Sequence, residues 1–439
     1  MDHFQLQGGV LHCEDVPLPV IAEAVGTPVY VYSTATMQRH ARVFCEAVAG
    51  AGTGTPLVAF AVKANPNAAV LATLAAEGLG GDVVSIGEFH RAAAAGIAPR
   101  DIVFSGVGKT ADEMAGALKG GVGQFNLESV EEAEMLSQVA SGLGMDAPIA
   151  FRVNPDVEAG THAKISTGAA YNKFGVPVGE ALAAYERARA LPGLAVQGVA
   201  VHIGSQLTDL APLDSAFRKV GGLIADLRAA GHVIRLADLG GGLGVPYDRG
   251  MPLPPTPEAY GAMVKAITRG WDVRLMFEPG RLIVANAGVL LSRVIRIKPG
   301  FPDPFVIVDA AMNDLMRPAL YDAHHEIDPV APSGRQMIAN VVGPVCETGD
   351  TFASGRAMGR VEAGELVVFR TAGAYAATMS STYNSRPLTP EVIVRGGDYA
   401  VVRARQGIED LIRADRLAPW LTDPEPDSRR QHGPQPSLG

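Results

Sequence analysis

The feature that most constrains this chain is an alternation running from residue 57 to residue 280. Short β-branched and aromatic runs are separated by Ala-rich stretches with apolar residues at helical spacing. The strand candidates are "PLVAFAVKA" (56–64), "GDVVSIG" (81–87), "DIVFSG" (101–106), "GQFNLES" (123–129), "PIAFRVNP" (148–155), "VQGVAVHIG" (196–204), "VIRLADLGG" (233–241) and "VRLMFEPG" (273–280). Between them lie stretches such as "NAAVLATLAAEGL", "ADEMAGALKG" and "SVEEAEMLSQVASGL". Parallel neighbours need a crossover connection, so strands alternating with helices predict parallel βα units. Eight such units over about 225 residues favour a closed (β/α)8 TIM-type barrel over an open doubly wound sheet.

After residue 285 the texture changes. "VLLSRVIRIKPG", "PFVIVDAA", "ELVVFRTAGAY" and "EVIVRGG" are strand-like and separated by Gly/Pro turns, which predicts a C-terminal mostly-β domain, a barrel or sandwich, over 286–420. Residues 1–30 also read as strands, "TPVYVYS" among the clearest, and are expected to pack with and complete that domain. Residues 31–285 then hold the barrel, and the polar, Pro-rich 421–439 is expected to be disordered.

A net charge of -9 argues against a general affinity for nucleic acid or anionic membrane. Cys13, Cys45 and Cys346 form no CxxC pair, which excludes a disulfide framework or zinc site and suits a reducing cytoplasm. The N-terminus lacks the basic start and apolar core of a signal peptide. The most apolar stretch, "LIVANAGVLLSRVIRI", is interrupted by Asn286 and Arg293, short of the roughly 18 residues of a membrane span.

In barrels of this kind the active site lies at the C-terminal strand ends. Here those ends are polar. Lys63 ends the first strand; Asp82 begins the second, which leads to Ser85 and Glu88; Asn126 and Glu128 belong to the fourth, Arg152 and Asn154 to the fifth. The sixth ends in His202 and Ser205, the seventh runs into Gly240, Gly241 and Gly242, and the eighth ends in Glu278, Gly280 and Arg281. A lone lysine after an apolar run reads as a solvated strand end, and a lone glycine triplet as a tight turn. Polar ends on most of eight strands converging on one rim are not explained by solvation. Glycines let backbone N–H groups face an anion, and Arg281 in the next loop adds a cation, so the pair reads as a phosphate site. Lysine, phosphate site, histidine and carboxylate together suit pyridoxal 5'-phosphate. Lys63 would form the Schiff base, the glycines would hold the phosphate, His202 would stack on the ring, and Glu278 would partner the pyridine nitrogen.

The segments "FAVKANPN", "GDVVSIGE", "FSGVGKT", "FNLES", "RVNPDVEAGTHAKISTGAAYNKFGV", "HIGSQL", "DLGGGLGVPY", "EPGR", "MNDLMRPALY", "GPVCETGD" and "GAY" occur in this order between residues 60 and 375. With them the chain resembles the meso-diaminopimelate decarboxylase family, within the alanine-racemase-like (fold-type III) class of pyridoxal phosphate enzymes. The resemblance implies decarboxylation of meso-2,6-diaminopimelate to L-lysine and carbon dioxide, the last step of lysine biosynthesis, by a homodimer. It implies Lys63 as the Schiff-base lysine, His202 as the ring-stacking residue, and Asp82, Ser205, Gly240, Gly241, Gly242, Glu278, Gly280, Arg281 and Tyr375 around the cofactor. Arg281, Arg317, Tyr321, Glu347 and Tyr375 would meet substrate, with Glu347 on the distal ammonium. Cys346 would be the proton donor, on a loop supplied by the other subunit. Phe60 and Pro66 depart from the residues often found beside the lysine, and neither touches the chemistry. His324-His325 reads as structural, because adjacent side chains point apart, and no metal site is expected. The alternatives are an ornithine, lysine, arginine or D-amino-acid decarboxylase of the same class, a racemase of the same fold, and a non-enzymatic cofactor-binding barrel. The arginine of "RPALY" weighs against the ornithine, lysine and arginine enzymes and leaves the D-amino-acid decarboxylase open; the carboxylate Glu278 weighs against the racemase, and the long β domain with "CETGD" against the bare barrel.

Overall fold

The computed structural model describes residues 2–158 and 173–422. Eight parallel strands close on themselves: Leu57–Ala61, Gly80–Val83, Ile102–Phe104, Gln124–Leu127, Ala147–Asn154, Leu194–Val201, Leu236–Asp238 and Arg274–Phe277. Closure is made by the last and first, with Met276 opposite Leu57 and Phe277 opposite Val58. Burial on both faces explains why these segments read as unbroken apolar runs rather than alternating ones. Several of the helices start directly at a capping side chain. Asn67, Ser85, Thr110, Ser129 and Thr256 each accept a hydrogen bond from a backbone N–H of their own first turn. Ser85 and Ser129 stand two residues past strands Gly80–Val83 and Gln124–Leu127, which keeps those two loops short and that part of the rim in a defined place.

The ring of helices begins before the barrel. Helix Thr34–Val48 precedes the first strand and packs between helices Pro257–Ile267 and Ala68–Ala76. Met37, Ala41, Phe44 and Val48 form its buried stripe. It fills the place of a helix after strand eight, which is followed by only one turn, Arg281–Val284, before the chain enters the second domain.

The second domain is mostly β. Its long strand Gly288–Lys298 pairs with Phe305–Val308, with Leu366–Phe369 and, antiparallel, with Val29–Ser33 from the N-terminal segment. Val29–Ser33 in turn pairs with Glu391–Arg395, so the N-terminus completes the sheet. The first thirty residues are not all strand. Phe4–Gln7, Val10–Cys13 and Val16–Pro17 make a small sheet, and helix Leu18–Val25 follows. Phe4, Leu11, Leu18 and Ile21 bury themselves with Val289, Leu291 and Val368 of the larger domain. A short helix, Pro419–Thr422, enters the span expected to be a disordered tail; residues 423–439 lie outside the described residues, as does His162. No helix among the described residues is long and apolar enough to cross a membrane.

Candidate active site

Strand one ends in a tight turn, Val62–Ala64, that lifts Lys63 out of the barrel core. Its side chain is 38% exposed, into a cavity of about 710 Å³ that it lines. That volume falls within the roughly 300–1,000 Å³ common for ligand sites. The Nζ lies 2.6 Å from Asp82 Oδ2, and Asp82 is fully buried with its other oxygen unpartnered. Burial works against the charge on Lys63, but Asp82, Tyr375 and Glu278 outweigh it and hold its pKa above the ordinary range. Lys63 is thus an ammonium held by Asp82.

A second cavity, of about 30 Å³, adjoins the first and shares Lys63, His202, Ser205, Glu278, Arg281 and Tyr375 with it. Gly240, Gly241, Gly242 and Gly280 line the small one. Gly240 and Gly242 have φ of +65° and +122°, and a Cβ on Gly241 would come within 2.2 Å of the Glu278 carbonyl oxygen. Only glycine fits that packing. A Cβ on Gly280 would sit 3.3 Å from the Tyr375 hydroxyl and crowd the same space. Arg281 is buried beside it, with Nη1 donating to the Tyr247 hydroxyl at 2.6 Å and Nε left without a partner. A buried cationic donor with an idle N–H beside a glycine-lined hollow fits a phosphate group.

Opposite Lys63, Glu278 shares the amide of Asn126 with Asp238. The Asn126 Nδ2 lies 3.3 Å from Glu278 Oε1 and 2.9 Å from Asp238 Oδ2. Burial first, then Asp238 and Asp82, push the Glu278 carboxyl well above the usual range, and burial also raises Asp238. His202 Nδ1 accepts from the Gly241 N–H at 3.2 Å, which leaves the ring proton on Nε2. Burial, Arg152 and Lys63 hold its pKa far below normal, so the imidazole is neutral.

Arg317 opens the short helix Arg317–Tyr321 and lines the large cavity with Tyr321. Its guanidinium lies 4.3 Å from the Tyr247 ring centroid, and Nη1 donates to His325 Nε2 at 2.9 Å. The Arg281 guanidinium is 4.7 Å from the Tyr375 ring centroid. Tyr375 itself holds a φ of +53°, an uncommon backbone state for a bulky side chain and one that recurs at functional sites. Neither Arg281 nor Arg317 forms an ion pair among the described residues.

Residues 35–285 match the family described as pyridoxal-dependent decarboxylase, pyridoxal binding domain. A diaminopimelate decarboxylase from Zymomonas mobilis is 57% identical over 418 residues, covering 95% of this chain and 99% of its own. One from Pseudomonas aeruginosa is 48% identical, covering 95% and 100%. The chain belongs to the diaminopimelate decarboxylase family. Among solved structures, the diaminopimelate decarboxylase of M. jannaschii in co-complex with L-lysine superposes with a TM-score of 0.91 at 34% identity, covering 96% of this chain and 99% of that one. That of Helicobacter pylori complexed with L-lysine gives 0.87 at 40%, covering 90% and 98%.

Three residues that the resemblance to the diaminopimelate decarboxylase family singles out line neither cavity: Asp82, fully buried behind Lys63, and two in the β domain. Cys346 and Glu347 are exposed, on the loop between strands Gln336–Val342 and Thr351–Gly359 of the β domain, and neither lines the Lys63 cavities. Glu347 Oε2 accepts from the Tyr383 hydroxyl at 2.8 Å. Conversely, Asp238, Ser105, Tyr247 and His325 belong to the site or its support and were not singled out from sequence. Asp238 stands in the "DLGGG" run and Tyr247 in "GVPY", so their segments were visible but not their roles. His325, read as structural, is bonded directly to Arg317. His324 lies near Asp248 and Glu326, but Arg356 donors approach both its ring nitrogens at 3.2 Å, and a cation there opposes a second one.

Proposed function

We propose that this chain decarboxylates meso-2,6-diaminopimelate to L-lysine and carbon dioxide, with pyridoxal 5'-phosphate as cofactor. The observation that carries the reading is the pair of buried arginines without counter-charge, Arg281 on both cavities and Arg317 on the large one alone. A buried cation lacking its anion is costly, so each marks a place for one. Arg281 beside the glycines suits the cofactor phosphate. Arg317, in the larger space, suits a substrate carboxylate at the end that does not react.

Bound, the cofactor supplies the electron sink for the pair left behind by carbon dioxide. Lys63 offers the amine that holds the cofactor aldehyde, and Asp82 keeps that amine in place. His202, neutral, presents its ring face, and Ser205 lies at the junction of the two cavities. Glu278, sharing the Asn126 amide with Asp238, would meet the ring nitrogen with its carboxyl. Tyr321 and Tyr375 wall the substrate space. Cys346 reaches the site from a second copy of the chain and hands a proton to the carbon that lost carbon dioxide, while Glu347 of that copy takes the distal ammonium. The working unit is therefore a homodimer. Three free thiols, at Cys13, Cys45 and Cys346, suit the reducing cytoplasm.

Ornithine and arginine have no second carboxylate and would leave Arg317 unpaired. A racemase is better served by a weaker sink than a carboxylate at the ring nitrogen creates. Carbon dioxide release should be measured over meso-diaminopimelate, lysine, ornithine and arginine, with α-proton exchange followed in parallel. Release from diaminopimelate alone is expected. Equal or faster release from ornithine, or exchange without release, would replace this reading.

A further inference from the structure

The guanidinium of Arg317 is held from behind. His325 is buried, 2% exposed, and its two ring nitrogens have distinct partners. Nδ1 lies 2.8 Å from the backbone oxygen of Arg370, and Nε2 lies 2.9 Å from Arg317 Nη1. A carbonyl oxygen only accepts, so Nδ1 must carry the hydrogen. A guanidinium only donates, so Nε2 must be bare. The neutral ring with its hydrogen on Nδ1 satisfies both ends, and the protonated ring would set one donor against another. Burial and Arg317 accordingly hold the pKa of His325 at about 3. The acceptor carbonyl is itself fixed, since the Arg370 side chain pairs with Asp328 Oδ2, which also lies 2.8 Å from Arg249 Nη2.

We propose that His325 is a positioning residue that aims Arg317 at the substrate's far carboxylate and so sets the preference for ligands bearing that group. This rests on the reading of Arg317 given above. Chemistry explains the choice of residue. Arg317 lies on a five-residue helix and has a long side chain, so unsupported it would have to be ordered at each binding event. A carboxylate could order it but would neutralise the charge the substrate needs. A neutral imidazole accepts one N–H and leaves the positive charge intact. The Tyr247 ring completes the hold by covering one guanidinium face, and meets the His325 ring edge-on with centroids 5.3 Å apart.

The test compares L-lysine, which keeps the far carboxylate, with cadaverine, which lacks it, binding to the cofactor-loaded enzyme by calorimetry. His325→Phe keeps an aromatic ring and removes both hydrogen bonds. It should weaken lysine about tenfold, the scale of one misdirected charge-assisted hydrogen bond, and leave cadaverine within about twofold. KM for diaminopimelate should rise while kcat holds. His325→Gln, which retains an acceptor, should fall between wild type and His325→Phe, and decides alone if His325→Phe does not fold. Arg317→Ala separates the two layers of the argument. If it leaves the lysine-to-cadaverine ratio unchanged, the carboxylate reading of Arg317 fails. If Arg317→Ala shifts the ratio but the His325 variants weaken both ligands alike, or neither, His325 only fills space and the inference is overturned.

Discussion

The Lys63 end of the barrel and the Cys346 loop are both ordered, but for different ends. Around Lys63 the order is inward: Asp82 holds the amine, Asn126 bridges two carboxyls, and His325 holds Arg317. Around Cys346 the loop is tied down as firmly. Asp350 accepts from the backbone N–H of Met312 at 2.6 Å and of Val345 at 2.7 Å, and Gly343 donates to its carbonyl at 3.0 Å. Yet the side chains this scaffold presents, Cys346 and Glu347, face outward. Fixing a loop costs conformational entropy. A loop fixed to display reactive and charged groups away from its own chain's cavities makes sense when its target lies on a neighbour. On the reading proposed above, one region receives and the other is delivered.

The largest effect should come from the receiving side. Lys63→Ala should remove the proposed covalent anchor and lower kcat by at least the order of 10⁴-fold, the scale on which losing a covalent catalytic group acts. The absorbance band that borohydride bleaches should vanish, and in the wild-type protein the reduced adduct should map to Lys63 by mass spectrometry. An adduct on Lys173 instead would move the anchor and dissolve the comparison. Glu278→Gln should retain cofactor, because Lys63, the glycines and Arg281 remain. Its kcat should drop roughly 10²-fold, near the 3 kcal/mol of one preorganised electrostatic contact, with KM little changed. Unchanged turnover would mean the ring needs no carboxyl partner.

The buried imidazole behind Arg317 gives a smaller signal, in stability rather than rate. His325 titrates near 3 in the fold and near 6.5 unfolded. Between those values the unfolded chain binds the extra proton, so stability rises with pH, is complete above about 6.5, and is lost as the solution is acidified below it. From pH 7 to pH 5 this one group should cost about 2 kcal/mol. Glu278, raised by burial, acts in the opposite sense, so the comparison must be with His325→Gln, in which every other group cancels. Urea unfolding at the two pH values should show wild type losing about 2 kcal/mol more than that variant. Equal losses would mean the imidazole is charged in the fold, and its role as a neutral acceptor would fall with that result.

What the sequence could disclose depended on how far each constraint reaches along the chain. The barrel was legible because doubly buried strands leave apolar runs at regular intervals. Lys63 was legible because a cation ending such a run needs a reason. Helix Thr34–Val48 carries its stripe of Met37, Ala41, Phe44 and Val48 openly, but it lies before residue 57, where the strand–helix alternation begins. The seventh strand is only Leu236–Asp238, shorter than the apolar run, because the glycines that follow leave the sheet to line the small cavity. His325 was not legible. Its decisive partner is a backbone carbonyl 45 residues away, and a carbonyl has no residue type to read. Adjacent histidines suggested side chains pointing apart, which is true, but only three dimensions show what one of them points at.

The sharpest challenge to the comparison between receiving and delivering regions also has the smallest yield. If Cys346 acts on a neighbour's Lys63, the variants Lys63→Ala and Cys346→Ala fail for complementary reasons. In a mixed dimer one site combines both lesions and is dead. The other joins an intact Lys63 to an intact Cys346. Random exchange of equal amounts makes about half the dimers mixed, each with one working site of two, so activity should recover to about a quarter of wild type. Neither variant alone should exceed its own residual rate, and recovery should grow with the time allowed for exchange. Were the site built within one chain, no mixture could contain an intact site. Exchange confirmed by tagged subunits, with no recovery, would therefore turn the Cys346 loop into an ordered surface feature. The proton donor would then have to be sought among the residues that line the large cavity, with Tyr375, at the junction of both cavities, the first to replace.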